Sequence, residues 1–257
     1  MRRPAIFFDC AEVRGGYREC GVSSWMVMVR LYSECESWTA VKNRYIPAVS
    51  LARNIIRLAM ARHGAQNSPV RPELLKNHYY LMRHGQSEAN VQGIIVSDPE
   101  IGVEGFGLTD TGRAQAHESI RSAGISPLRI ISSDFKRARQ TAEIASQLTG
   151  AELMLDARLR ERFFGSYNGQ SDEHYARVWE KDAENLAPGM NVELPDSVLS
   201  RALDVITECE AAVQGTVLLV AHGDVCQILL AWAAGRTASE HRSLPHMQTA
   251  EIRRLNP

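Results

Sequence analysis

The sequence predicts an α/β domain over residues 79–257, built on a mostly parallel sheet covered by helices on both faces. Three observations carry this reading. From Tyr79 onward, short apolar runs alternate with helical patterns, the rhythm of a parallel sheet. The run Thr216–Ala221 (TVLLVA) lacks any alternation of polar residues, as expected of a strand buried on both faces. Charge also divides the chain at the same place: residues 1–78 carry twelve Lys/Arg against six Asp/Glu, whereas residues 79–257 carry seventeen against twenty-four. A boundary therefore falls near His78.

Taken in order, Tyr79–Arg83 reads as the first strand. A helix capped by Thr109 or Asp110 runs to about Ala123 and stops at Gly124. Leu128–Ile131 is a short strand, followed by a helix capped by Ser133 or Asp134 that reaches Leu148 and ends at Gly150. Ala151–Leu155 reads as a strand. Helices over Ser171–Glu184 and Asp196–Val213 flank a Pro/Gly-containing loop. Thr216–Ala221 is followed by a helix over Asp224–Ala233, and Gln248–Arg253 is a candidate last strand. In the basic extension only Ser50–Arg62 is periodic, with Leu51, Ile55, Leu58 and Ala59 on one face. That extension is read as a targeting or docking helix, as a helix packed on the main domain, as weakly ordered sequence, or as upstream sequence included by a misplaced start.

Composition narrows the function. Of 257 residues, 44% are hydrophobic and 23% charged, an ordinary balance for a globular protein. No apolar run approaches a membrane span, and the N-terminal apolar run is too short for a secretory signal. The five cysteines (Cys10, Cys20, Cys35, Cys209, Cys226) are scattered without metal or redox spacing, which points to free thiols in the cytoplasm. A net charge of −1 selects neither nucleic acid nor membrane as partner.

Four segments fall at or just past strand ends, where open α/β sheets place their sites. They are Arg83-His84-Gly85, Ser132–Ala142 (SSDFKRARQTA), Leu159–Gly169 (LRERFFGSYNG) and Ala221-His222-Gly223. Together they supply what phosphoryl transfer through histidine needs. A phosphoryl group carries roughly two negative charges, which planar, permanently charged guanidinium forks spread well; Arg83 and Arg137 suit that task. Arg137 also lies in the first turn of its helix, where the helix dipole favours an anion. His84 is the candidate nucleophile, because a neutral imidazole attacks phosphorus without help from a metal. His222 would donate to the phosphoryl oxygens, joined by the backbone N–H groups of Gly223 and Asp224. Glu161 is the candidate acid for the leaving alkoxide; among Arg158, Arg160 and Arg162, of which one is a candidate to meet substrate while the others stay solvated, it needs burial and nearby phosphate charge to stay protonated. A second triplet, Arg62-His63-Gly64, follows a helical pattern rather than a strand and reads as a decoy. His78, His117, His174, His241 and His246 read as surface or packing residues, and Cys209 and Cys226 as core.

In this order the four segments resemble the histidine phosphatase, or phosphoglycerate-mutase-like, superfamily. The resemblance rests on Arg83, His84, Gly85, Arg137, Ala138, Gln140, Thr141, Glu161, Gly165, His222 and Gly223, with Gln86, Ser87, Glu88 and Asn90 extending the first motif. It implies a three-layer α/β/α sandwich, a phosphohistidine intermediate, neither metal nor organic cofactor, and a phosphate contact from Asn90. The family's mutases carry an arginine pair and a lysine in an insert that grips a second anionic group. Here Ser171–Pro195 offers Arg177 and Lys181, and Phe163-Phe164 stands where the mutases have His-Tyr. These departures favour a phosphatase acting on a less charged or aromatic phosphomonoester. A bisphosphate-primed phosphoglycerate mutase is the second reading, and a non-catalytic phosphate-binding module the third.

Overall fold

The computed structural model describes residues 70–256, within a compact unit spanning Asn67–Pro257. The helix expected over Ser50–Arg62 and the Arg62-His63-Gly64 triplet lie outside the described residues. The strands are β1 (His78–Arg83), β2 (Arg129–Ser132), β3 (Glu152–Leu155), β4 (Thr216–Ala221) and β5 (Ile252–Arg254). They form one sheet in the order β3-β2-β4-β1-β5. The first four are mutually parallel, and β5 runs antiparallel along β1.

The two faces follow from strand periodicity. Tyr79, Leu81, Ile131, Val217 and Leu219 point into one core, while Met82, Ile130, Leu218 and Val220 point into the other. The first core is covered by α6 (Pro195–Ala212) and α7 (Gly223–Ala233), and the second by α3 (Asp110–Ala123) and α4 (Lys136–Thr149). A sheet with helices on both faces is the α/β sandwich expected. Because α7 is embedded between layers, it is buried nearly all round, from Val225 through Leu229. Cys209 and Cys226 lie in the first core as free thiols. Three shorter helices, α1 (Glu88–Gln92), α2 (Pro99–Gly102) and α5 (His174–Ala183), belong to the segments beyond the strand ends. Phe164 joins Ile95, Val178 and Val192 in a third, small core there. No helix among the described residues is long and apolar enough to cross a membrane.

Most element ends agree with the sequence to within a few residues. Thr109 caps α3 by accepting from the Gly112 N–H at 3.0 Å, and Gly124 and Gly150 end α3 and α4 in the left-handed conformation. The cap expected from Ser133 or Asp134 is not there. Phe135 holds the N-cap position of α4 without a side-chain cap bond. Both polar side chains are engaged elsewhere: Ser133 Oγ bonds His222 and the Phe135 N–H, while Asp134 pairs with Arg160.

Candidate active site

Strand register brings the two motif histidines together. Arg83 of β1 is paired with Ala221 of β4, so the next residues, His84 and His222, leave the sheet side by side. The His84 N–H donates to the Ala221 carbonyl at 3.0 Å, and the imidazole rings stand edge to face with centroids 5.2 Å apart. The Ser133 N–H donates to the Val220 carbonyl from neighbouring β2, which places α4 and its Arg137 at the same rim. Glu161 arrives from the segment after β3. Arg83, His84, Asn90, Arg137, Glu161 and Gly223 all line one pocket of ≈ 150 Å³. His222 is fully buried, edge to face with the His84 ring that lines the pocket.

The bonds around His84 fix its tautomer. Arg137 Nε can only donate, and it lies 3.1 Å from His84 Nε2. Nε2 therefore carries the lone pair, and Nδ1–H donates to the Gly85 carbonyl at 2.8 Å. Burial first, then the charges of Arg137 and Arg83, hold this ring well below the usual histidine range, so it is neutral near pH 7. His222 is depressed for the same reasons, burial and then Arg137. Its Nε2 is 2.9 Å from Ser133 Oγ, which already accepts from the Phe135 N–H. A serine hydroxyl that donates to Nε2 would leave His222 Nδ1 protonated. Buried polar atoms without a partner gather at this end of the sheet, among them Arg83 Nε, Arg137 Nη1 and His222 Nδ1. Buried donors are nearly always satisfied, so such a convergence marks an anion subsite.

Motif residues beyond these hold the cage in shape. Thr141 Oγ1 accepts from the Gly85 N–H at 3.1 Å and donates to the Arg137 carbonyl at 2.8 Å, tying the nucleophile segment to α4. Gln140 Oε1 accepts from the Leu108 N–H at 2.7 Å. Gly85 is required by packing, because a Cβ there would run into the Gly112 carbonyl oxygen. Asn90 closes a capping box with Ser87, which uses its amide oxygen and leaves its NH2 for the pocket.

Glu161 is 7% exposed and accepts from the Arg162 N–H at 2.9 Å. Burial and the neighbouring Asp224 carboxylate push it up to about 7, against the pull of Arg137 and Arg83. Asp224 stays ionised: burial raises it, but His241, Arg162 and Arg242 outweigh burial. It also accepts from Trp179 Nε1, at 3.0 and 3.1 Å.

Several expectations need correction. None of Arg158, Arg160 and Arg162 lines the pocket. Arg158 pairs with Asp156 and Glu208, Arg160 with Asp134, and Arg162 is wholly buried against Asp182. Neither phenylalanine lines it: Phe163 faces solvent and Phe164 belongs to the small third core. Arg177 is exposed, and Lys181 Nζ donates to the Pro188 carbonyl. The aromatic wall is instead Tyr175 and Trp179, stacked at 5.2 Å on one face of α5. Arg242, passed over in the sequence, and His246, read there as a surface or packing residue, line the pocket as well. His246 Nε2 accepts from Arg83 Nη1 at 2.9 Å; burial and Arg83 lower the ring to about 4, so it adds no positive charge. Trp179 and Tyr175 are spaced i, i+4 on a helix, a legible aromatic face. Arg242 and His246 carried no motif.

A phosphate-sized anion cage at the C-terminal rim of an α/β sandwich, holding a neutral imidazole, defines a phosphoryl-transfer class of protein. The chain belongs to the histidine phosphatase superfamily (branch 1), whose family model matches residues 79–257. Among curated relatives, it is 31% identical over 175 residues to a probable phosphoglycerate mutase of Photorhabdus laumondii, covering 64% of this chain and 78% of that protein. It is 28% identical over 173 residues to a broad-specificity phosphatase of Saccharomyces cerevisiae, covering 63% and 73%. Among solved structures, a mycobacterial glucosyl-3-phosphoglycerate phosphatase complexed with VO3 superposes with a TM-score of 0.59 at 28% identity, covering 68% of this chain and 90% of that one. Phosphatase or mutase chemistry is therefore the activity class.

Proposed function

We propose that the chain is a phosphomonoester hydrolase working through a phosphohistidine on His84. The observation that supports this most is the His84 Nε2 lone pair, set among unpartnered Arg83, Arg137 and His222 nitrogens, with Glu161 lining the same pocket. In the first step Nε2 attacks phosphorus, the N–P bond forms and the P–O bond to the alcohol breaks. Glu161 gives its proton to the departing oxygen. Arg83 Nε, Arg137 Nη1, His222 Nδ1, the Asn90 amide and the Gly223 N–H take the charge on the phosphoryl oxygens. In the second step the Glu161 carboxylate takes a proton from water as that water attacks phosphorus; the N–P bond breaks, and phosphate and neutral His84 are released. Every proton is thus carried by the chain's own residues, and among the described residues no His, Cys, Asp or Glu cluster has metal-site composition. The phosphatase-named relatives accord with water as acceptor. A mutase reading is favoured by the mutase-named relative, and it predicts isomerisation of a phosphoglycerate far faster than hydrolysis. Release of inorganic phosphate without isomerisation, undiminished by excess chelator, is the expected result; isomerisation outrunning hydrolysis contradicts it.

The pH profile follows from the protonation states. Glu161 must start protonated, and it sits at about 7, so kcat/KM for an alkyl phosphate is expected to fall as pH rises through that value. His84 stays neutral well into the acid range, so the acidic side is limited much lower. Glu161→Gln should lose roughly 10²–10⁴-fold on an alkyl phosphate and lose this descending limb. The substrate's own ionisation is common to both proteins and cancels in the comparison. An unchanged limb in the variant contradicts the assignment.

A further inference from the structure

Arg242 has no assigned task in the chemistry above, and its setting is unusual. Its guanidinium carbon lies over the Trp179 ring, 3.6 Å from the centroid. Trp179 is in turn fixed by its Nε1 bonds to Asp224 and by its stack on Tyr175. A clamped guanidinium of this kind has given up its rotamer freedom before any ligand arrives. Arg242 forms no salt bridge with any described carboxylate, and its Nη1 is shut away from solvent without a hydrogen-bond partner. It lines the same pocket as Arg83, His84 and Glu161. Arg83 and Arg137 already surround the imidazole, and a single phosphoryl dianion does not need a third arginine. His246, the other side chain from this segment, is neutral and spent on Arg83, so Arg242 is the segment's cation at the pocket, with the Asp224 carboxylate whose charge it helps to hold close by.

We propose that Arg242, held on Trp179, is the specificity residue for a second anionic group on the alcohol portion of the substrate, a carboxylate or a further phosphate. The subsite rests on the phosphomonoesterase reading for what occupies the cage, but not for its own test. It comes from the segment before β5, not from Ser171–Pro195, where Lys181 is tied to the Pro188 carbonyl and Arg177 faces solvent. The third arginine also revises the expectation of a less charged substrate.

Binding can be measured without turnover in the His84→Ala chain by titration calorimetry. Three probes share a phosphoryl group: glycerol 3-phosphate, 3-phosphoglycerate and propane-1,3-diol bisphosphate. One or both of the doubly anionic probes should bind about 10- to 100-fold more tightly than glycerol 3-phosphate, as for a charge-assisted bond in a sheltered site. Whichever gains more names the anion. In Arg242→Gln that preference should vanish, and Arg242→Lys should restore part of it. Trp179→Leu, which removes the clamp while sparing the arginine, should reduce it. The subsite is overturned if neither doubly anionic probe is preferred, or if the preference survives unchanged in Arg242→Gln. Hydrolysis of 4-nitrophenyl phosphate by the parent chain judges the phosphatase reading separately, so either idea can fail alone.

Discussion

His84→Ala is expected to lower hydrolysis of 4-nitrophenyl phosphate by roughly 10³-fold or more, since it deletes the proposed nucleophile. The loss should appear in kcat rather than KM, because Arg83, Arg137 and Asn90 still line the pocket. His222 does not replace it: it is fully buried, and its Nε2 is engaged by Ser133 at 2.9 Å. Steady-state kinetics on the purified variant check this. Activity within tenfold of the parent would remove His84 from the chemistry.

Arg162→Met is expected to cost roughly 3–5 kcal/mol of stability, although its side chain does not itself line the pocket. The Arg162 side chain has no exposed surface, binds Asp182 at 2.5 and 2.9 Å, donates from Nε to the Glu193 carbonyl at 2.7 Å and reaches Asp224 at 3.4 Å. Removing it strands the buried Asp182 carboxylate and takes from Asp224 one of the cations around it. For a domain of this size the loss corresponds to a Tm lower by roughly 10 °C. Adding Asp182→Asn should recover part of it, because one stranded charge is then gone. Denaturant unfolding followed by tryptophan fluorescence reads both variants; a loss below about 1 kcal/mol contradicts the buried-pair account.

The sequence made the sheet and the cage legible for one reason: their residues obey local rules. Strands β1 and β4 are apolar runs, and the rim residues follow them directly, so His84 and His222 could be placed from position alone. What stayed hidden depends on tertiary direction. β5 is antiparallel to β1, so the segment leading into it must return to the C-terminal rim of the parallel strands. That reversal carries Arg242 and His246 to the pocket, and a periodicity reading leaves strand direction open. The arginines around Glu161 misled in the opposite sense. Their spacing puts them near the site, but Asp156 two residues before Arg158, and Asp134, Asp182 and Glu208 from elsewhere in the chain, claim them. Ser133 shows the same effect at smaller scale. Its place before α4 resembles a cap, yet the imidazole beside it takes the hydroxyl.

The most direct test is to quench the enzyme during turnover of a radiolabelled phosphomonoester and map the phosphate it carries. Acid-labile, base-stable label on the peptide containing His84, absent in His84→Ala, is the expected result. Label on any other residue, or none at a time when product is still forming, would contradict a covalent imidazole intermediate.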